Sequence, residues 1–186
     1  FLMALDICRQ GVPENPAIVL IAVKPQMMQN ALPVLRPLGN GDTLFVSVAA
    51  GCTIASYEAV LGAKTPVIRA MPNTPAAIGQ GITAYTKGPG VTEEQIRMTE
   101  TLLAAGGTVH HVANEHLIDV VTAISGSGPA YIFHMAEALE AAAIKIGLPA
   151  DIAPDFARQT IIGAAGLLNN SDESAAQLRV NVTSPN

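Results

Sequence analysis

Residues 17–23, with the sequence AIVLIAV, form a continuous apolar run of strand length that stops at Lys24-Pro25. Apolar residues at every position, rather than at alternate positions, indicate a strand buried on both faces, which is typical of a parallel sheet. The pattern returns at residues 43–49 and 66–71, and short helical segments separate the three runs. We therefore expect an α/β unit in which helices connect parallel strands by right-handed crossovers.

Two further segments extend the predicted sheet. Residues 82–86 and 108–112 have the composition of strands. Between them, Thr92 and Gln95 form a capping box, in which each side chain bonds the backbone N–H of the other residue. The box predicts a helix that runs from there to about residue 105.

The character of the chain changes near residue 114. No strand pattern follows it, and helices are expected over residues 115–146 and 151–168. We therefore predict two domains, an α/β domain over residues 1–113 and a helical domain over residues 114–186.

Composition excludes several classes of protein. With 49% hydrophobic and 13% charged residues among 186, the chain is far from the composition of disordered proteins. A net charge of -5 with ten scattered basic residues argues against nucleic-acid binding, which needs clustered Lys and Arg. The apolar runs are too short for a membrane span, and two cysteines match neither a zinc site nor a redox pair. We expect a cytoplasmic protein without nucleic-acid or membrane partners. The mean hydropathy of +0.36 also favours a helical surface buried against another subunit.

The ends of the three buried strands are candidate binding positions, because ligands of open parallel sheets bind at the carboxyl ends of strands. Those ends are residues 22–25, 48–51 and 71–75, all rich in small or polar residues that backbone or ligand can approach. Each one alone is better explained as a tight strand-to-helix turn. The three together predict a cofactor crevice, in which Lys24 meets a phosphate or ribose and Asn73 bonds a nicotinamide or its ribose.

Residues 125–129, with the sequence SGSGP, resemble a phosphate-binding loop at first sight. They follow a helical pattern rather than a strand, and no Lys or Arg follows to meet a phosphate. We interpret Gly126, Gly128 and Pro129 as a bend or a close packing point in a helix. A dinucleotide site also needs a Gly-rich turn after its first strand, and residues 1–40 contain none.

The remaining polar candidates are weaker. Glu115 stands at the predicted start of a helix, where a carboxylate is favoured by the helix dipole, and it fits a first-turn acid as well as a pocket residue. His110 and His111 are neighbours on a strand and point to opposite faces, which argues against a shared metal. No arrangement of Ser, His and Asp predicts a nucleophile.

Five stretches of the chain closely resemble pyrroline-5-carboxylate reductase, the last enzyme of proline synthesis. They are AVKPQ at residues 22–26, SVAAG at 47–51, RAMPNTP at 69–75, ISGSGPAY at 124–131 and NVTSP at 181–185. The likeness runs in order from about residue 17 to residue 186.

The resemblance implies a Rossmann-type α/β domain that binds NADPH or NADH, followed by an all-helical oligomerisation domain that forms homodimers and rings of dimers. The implied reaction is hydride transfer to the cyclic imine carbon of 1-pyrroline-5-carboxylate, which gives L-proline. Carried over by position, the residues implied to contact the cofactor are Ala22, Val23, Lys24, Pro25, Val48, Ala49, Ala50 and Asn181. Those implied at the substrate are Glu115, Thr183 and Ser184.

Some of the family's pattern is missing from the sequence. Its Gly-rich first turn is absent, and its substrate loop continues beyond residue 186 with the hydroxyl expected to contact the substrate nitrogen. Both domains are therefore expected to be incomplete, no catalytic residue is assigned, and we expect the 186-residue polypeptide to be inactive.

Two alternatives remain. A related hydroxyacid dehydrogenase would use a Lys on the interdomain helix as its acid or base, but the only one there is Lys145, near the far end. A non-enzymatic oligomerisation or regulatory module with a decayed nucleotide site would account for the missing Gly-rich turn.

Overall fold

The computed structural model describes residues 13–184, so the outer ends of both predicted domains lie outside it. Within that range, five strands form one sheet in the order β1-β2-β3-β4-β5. The strands are β1 Ile18–Ile21, β2 Leu44–Ser47, β3 Val67–Met71, β4 Gly81–Lys87 and β5 Gly107–His111. All five predicted strands are thus confirmed, each within a few residues of its predicted ends.

The helices alternate with the strands in the first half of the chain and follow one another in the second. They are α1 Met28–Leu35, α2 Ile54–Leu61, α3 Glu93–Ala104, α4 His116–Val121, α5 Gly128–Lys145, α6 Ala153–Asn170 and α7 Ala175–Asn181. The predicted capping box is present at α3, where Thr92 and Gln95 each accept the other's backbone N–H. The Rossmann-type plan with a helical C-terminal part is therefore confirmed.

The sheet is mixed rather than purely parallel. Strands β1, β2 and β3 are parallel, β4 is antiparallel to β3, and β5 is parallel to β4. Between β3 and β4 the chain has only the short 3-10 helix Thr74–Ile78. A parallel crossover needs roughly a dozen residues or more, so the chain turns back and β4 pairs in the opposite direction.

Both faces of the central strands are covered, as the continuous apolar runs predicted. All four residues of β2 are buried. Phe45 packs with α1 and α2 on one face, while Leu44 and Val46 pack with Ile68 on the other. Because both faces are buried, the sheet is a central layer, and a ligand can approach its central strands at their ends.

The described part of the chain divides into two compact units, with the division between Pro129 and Ala130. The division falls later than the change of composition at residues 113/114, because α4 packs against β3 and β4 and belongs to the sheet unit. The single stretch predicted as helical over residues 115–146 is interrupted by a π-helical turn at Thr122–Gly126. The SGSGP segment, predicted as a bend or a close packing point, overlaps this turn at its first two residues, and α5 begins at Gly128.

The helical unit has few buried side chains, and among them are Ala153 and Ala157. Large apolar side chains are exposed along α5 and α6 instead. They include Tyr131, Phe133, Met135, Leu139, Phe156, Ile162, Leu167 and Leu168. No helix among residues 13–184 is both long and apolar enough to cross a membrane.

Candidate cofactor and substrate site

The parallel register brings the ends of the first three strands to one edge of the sheet. Ile21 of β1 is level with Ser47 of β2, and Ser47 is level with Arg69 of β3. The Val48 N–H donates to the carbonyl of Ile21 at 3.1 Å, which extends the ladder by one step. The predicted cofactor segments at residues 22–25 and 48–50 therefore leave the sheet side by side.

The first of these segments is a sharp exit from β1. Lys24 is extended, as the residue before a proline must be, and Pro25 begins the short 3-10 helix Pro25–Met27. The Met27 N–H donates to the Lys24 carbonyl at 2.8 Å. Because the backbone is fixed in this way, the exposed side chain of Lys24 starts from a defined position at the sheet edge.

The second segment, residues 48–53, is the predicted cofactor loop, and buried hydroxyls hold it in place. Ser47 Oγ lies 2.5 Å from the Tyr57 hydroxyl and accepts the N–H of Ala49 at 3.2 Å. Burial raises the pKa of Tyr57 well above its ordinary value, so the phenol stays neutral. Gly51 has a φ of +74° with no atom within 4 Å of a Cβ position, which leaves the loop open on its outer side.

The turn after β3 is held by the side chain of Asn73. Asn73 Oδ1 accepts the N–H of Ile82 at 3.0 Å and so ties the turn to β4. The side chain thus has a clear role in holding the turn. A contact between Asn73 and the cofactor stays a prediction.

Sequence reasoning missed an ionic cluster around a buried arginine in the middle of β3. Arg69 is only 2% exposed. Its Nη1 donates to Glu115 Oε1 at 3.1 Å and its Nη2 donates to Asp119 Oδ1 at 2.8 Å. The sequence does contain a signal for this cluster, an Arg in the middle of the apolar run 66–71. A buried charge requires a partner, so that Arg predicts an ion pair.

Glu115 occupies the N-cap position of α4 but does not cap that helix with its side chain. Its Oε1 accepts the N–H of Ile54, the first residue of α2, at 2.8 Å. A carboxylate at a helix N-terminus is favoured by the helix dipole, and here the helix is α2. The Glu115 side chain is 31% exposed, which leaves part of it accessible at the surface of the sheet unit.

The other predicted residues form a separate group at the end of α7, within the helical unit. Asn181 donates to Glu173 Oε2 and accepts from Gln177 Nε2, each at 2.8 Å. Thr183 Oγ1 donates to the Arg179 carbonyl at 2.8 Å. All three predicted residues, Ser184 included, are exposed. The structure therefore brings Asn181, Thr183 and Ser184 together, on a different unit from the strand ends.

The part of the chain that the structure describes contains no group of three or more His, Cys, Asp or Glu side chains placed to hold a metal. His111 instead packs against the ring of Tyr85, with centroids 5.2 Å apart. A groove of about 590 Å³ lies along α3 beside Ile18, at the opposite end of β1 from Lys24.

Comparison with known proteins identifies the family. The family model described as pyrroline-5-carboxylate reductase dimerisation matches residues 115–186. The pyrroline-5-carboxylate reductase of Pseudomonas aeruginosa is 42% identical over 169 residues, which cover 91% of this chain and 62% of that protein. The chain thus spans about three-fifths of the length of that curated relative.

Solved structures agree with the sequence comparison. A pyrroline-5-carboxylate reductase from Coxiella burnetii superposes with a TM-score of 0.84 at 35% identity, over 100% of this chain and 73% of that one. The Plasmodium falciparum pyrroline carboxylate reductase with NADP bound gives a TM-score of 0.80 at 31% identity, over 91% of this chain and 64% of that one. Because the Coxiella burnetii reductase is 35% identical to this chain and is matched over 73% of its length, the chain belongs to the pyrroline-5-carboxylate reductase family.

Proposed function

We propose that the protein containing this chain reduces 1-pyrroline-5-carboxylate to L-proline with NADPH or NADH, the last step of proline biosynthesis. The observation that carries the proposal is the match to the Coxiella burnetii reductase along the whole chain. It is supported by the sheet edge, where the segments after β1 and β2 leave side by side. When bound, the nicotinamide cofactor supplies the hydride that the imine carbon receives.

The residues at the strand ends fit such a cofactor. The assigned residues are Ala22, Val23, Lys24, Pro25, Val48, Ala49, Ala50 and Asn73 from the sheet unit and Asn181 from the helical unit. The small side chains let a nucleotide approach the backbone, and the open outer side of Gly51 leaves room for it. Lys24 is exposed and offers a positive charge to a phosphate.

The substrate residues are assigned by their chemistry. Thr183 and Ser184 offer hydroxyl groups that can donate to the carboxylate of the imine. Glu115 lies near the cofactor loop, with part of its side chain exposed. These groups hold the imine in place and orient it, which is the main task of a protein in hydride transfer. No residue is assigned as the proton donor.

The exposed apolar face of the helical unit supports a homodimer. Phe133 is 67% exposed and Phe156 is 60% exposed, and large exposed apolar surfaces mark interfaces. The matched family model, described by its dimerisation role, covers these helices. Replacing Phe133 and Phe156 by Ser should shift the protein from dimer to monomer in light scattering, and an unchanged mass would contradict the assignment. Rings of dimers and a cytoplasmic location stay predictions.

The proposed reaction is tested on the protein made from its complete coding sequence. We expect oxidation of NADPH or NADH that depends on 1-pyrroline-5-carboxylate and yields proline. Activity only with 2-hydroxyacids would favour the related dehydrogenase, and no nicotinamide binding at all would favour the non-enzymatic module.

A further inference from the structure

Arg69 is the one buried cation of the sheet unit whose place the proposed reaction does not explain, among the residues that the structure describes. Its side chain is 3% exposed, and its Nε is buried without a hydrogen-bond partner. Removing a charge from water lowers stability unless its partners compensate in full, and here one donor has no partner. The unpaired donor of Arg69 therefore points to a role other than stability.

The cluster joins three elements of the fold. Arg69 lies on β3, Glu115 at the start of α4, and Ile54 at the start of α2. A single oxygen, Glu115 Oε1, accepts both the Arg69 guanidinium at 3.1 Å and the Ile54 N–H at 2.8 Å. Any movement of Arg69 therefore moves the group that holds the first turn of α2.

Ile54 follows directly after the cofactor loop, residues 48–53. At its near end, the loop is held by Ser47, whose hydroxyl accepts the Ala49 N–H. At its far end, it is held by the bond from the Ile54 N–H to Glu115. Ser47 and Arg69 are paired in the sheet register, so both anchors rest on neighbouring positions of β2 and β3.

We propose that Arg69 is a positioning residue for the cofactor, which acts by orienting Glu115 and so fixing the far end of the cofactor loop. The inference rests on the proposed function for the nature of the bound molecule. Arginine suits the role because its planar fork reaches two carboxylates at once, here those of Glu115 and Asp119. A lysine at the same place would offer a single point of charge and would hold Glu115 less firmly.

Two substitutions in the full-length protein break the link at different points. Arg69→Met removes the guanidinium but keeps an unbranched, buried side chain. Ile54→Pro removes the N–H that Glu115 accepts at a position where proline is favoured, the first of the helix, and it also shortens a buried side chain, for which Ile54→Val is the control. The preceding Thr53 already has the extended conformation that a proline requires, with φ -86° and ψ 157°. Ile54→Val and Arg97→Met are the matched controls.

Three readouts separate positioning from a general loss of structure. We expect Arg69→Met and Ile54→Pro each to weaken NADPH binding about tenfold in a fluorescence titration, as the loss of a charge-assisted bond predicts. The KM for the imine should change less. The partly buried Cys52, inside the cofactor loop, should react faster with iodoacetamide when followed by mass spectrometry. The double variant should add little to either single variant, because both break one chain of contacts.

The proposal is overturned if both variants keep NADPH affinity and Cys52 reactivity within about twofold of wild type while only their melting temperature falls. It is also overturned if only the imine KM rises, since Glu115 would then act on the substrate. If Arg69→Met does not fold, Ile54→Pro against Ile54→Val decides. A wild-type protein that neither binds NADPH nor reduces the imine refutes the proposed function, whereas the Cys52 reaction still shows whether Arg69 holds the loop.

Discussion

The hydroxyl pair beneath the cofactor loop allows a quantitative prediction. Ser47 and Tyr57 are both 0% exposed, and their oxygens are 2.5 Å apart. Ser47 Oγ also accepts the Ala49 N–H at 3.2 Å. Tyr57→Phe removes one partner of Ser47 and leaves the other in place. Ser47→Ala removes the acceptor of Ala49 as well, so the two substitutions differ in how many buried polar groups they leave without a hydrogen-bond partner.

The expected magnitudes follow from that count. Tyr57→Phe loses one buried hydrogen bond without leaving a cavity, which should lower the free energy of unfolding by about 1 kcal/mol. Ser47→Ala loses the same bond and leaves the Ala49 N–H without its acceptor, which should raise the loss to roughly 2–4 kcal/mol. In the double variant the shared bond is counted once, so the total should fall short of the sum by about 1 kcal/mol.

Urea unfolding followed by circular dichroism measures these differences from the midpoints, provided the slopes agree. Thr101→Ala, which alters an exposed hydroxyl bonded to the Arg97 carbonyl, should stay within about 0.5 kcal/mol and serves as the control. In the full-length protein, Ser47→Ala should also weaken NADPH binding, because Ala49 belongs to the cofactor loop, whereas Tyr57→Phe should not. Equal losses for the two single variants, or an additive double variant, would refute the reasoning.

Three further predictions concern stability. Gly107→Ala should lower the free energy of unfolding by more than about 3 kcal/mol in urea, because φ is +130° and a Cβ would collide with the Gly81 backbone. Gly90→Ala, where φ is +81° and the space around the Cβ is open, should lower it by only roughly 1–2 kcal/mol. Equal losses for the two variants would show that the structure relieves the collision at Gly107. Burial and the hydrogen bond to a glutamate raise the pKa of Tyr85 above that of tyrosine in the unfolded chain. The unfolded chain therefore loses this proton first, and the stability of the fold should decrease as pH rises above about 10. Tyr85→Phe should make the melting temperature depend less on pH in that range, and an unchanged dependence would contradict the prediction. Thr92→Ala should lower the free energy of unfolding by about 1 kcal/mol in the same urea assay, through loss of the helix cap, and no change would mean that solvent replaces the cap.

Strand positions were predictable because burial on both faces leaves a direct mark on the sequence. The run at residues 43–49 contains only apolar or small residues, and each residue of β2 is buried. Strand direction leaves no such mark. The reversal at β4 follows from the short connection through Thr74–Ile78, a length that the sequence shows but that strand composition alone does not interpret.

The SGSGP segment shows where prediction from small residues stops. An irregular point in the helix was predictable from the glycines and the proline, and the structure has a π-helical turn at Thr122–Gly126. Which glycine is packed closely was not predictable. A Cβ at Gly126 would lie 3.0 Å from the Met71 side chain, whereas a Cβ at Gly128 would meet nothing within 4 Å. Close packing depends on a residue far away in the sequence, and no local pattern names it.

The Arg69 cluster also accounts for the place where the two units divide. Composition changes near residue 114, since strands precede that point and helices follow it. Yet Glu115 and Asp119, both beyond the change, are the partners of a guanidinium buried in the sheet. A charge in a continuous apolar run requires partners from outside the run, and these two bind α4 to β3. The helical sequence therefore begins before the helical unit does, and the division at residues 129/130 lies beyond α4, the helix that the buried charge binds to the sheet.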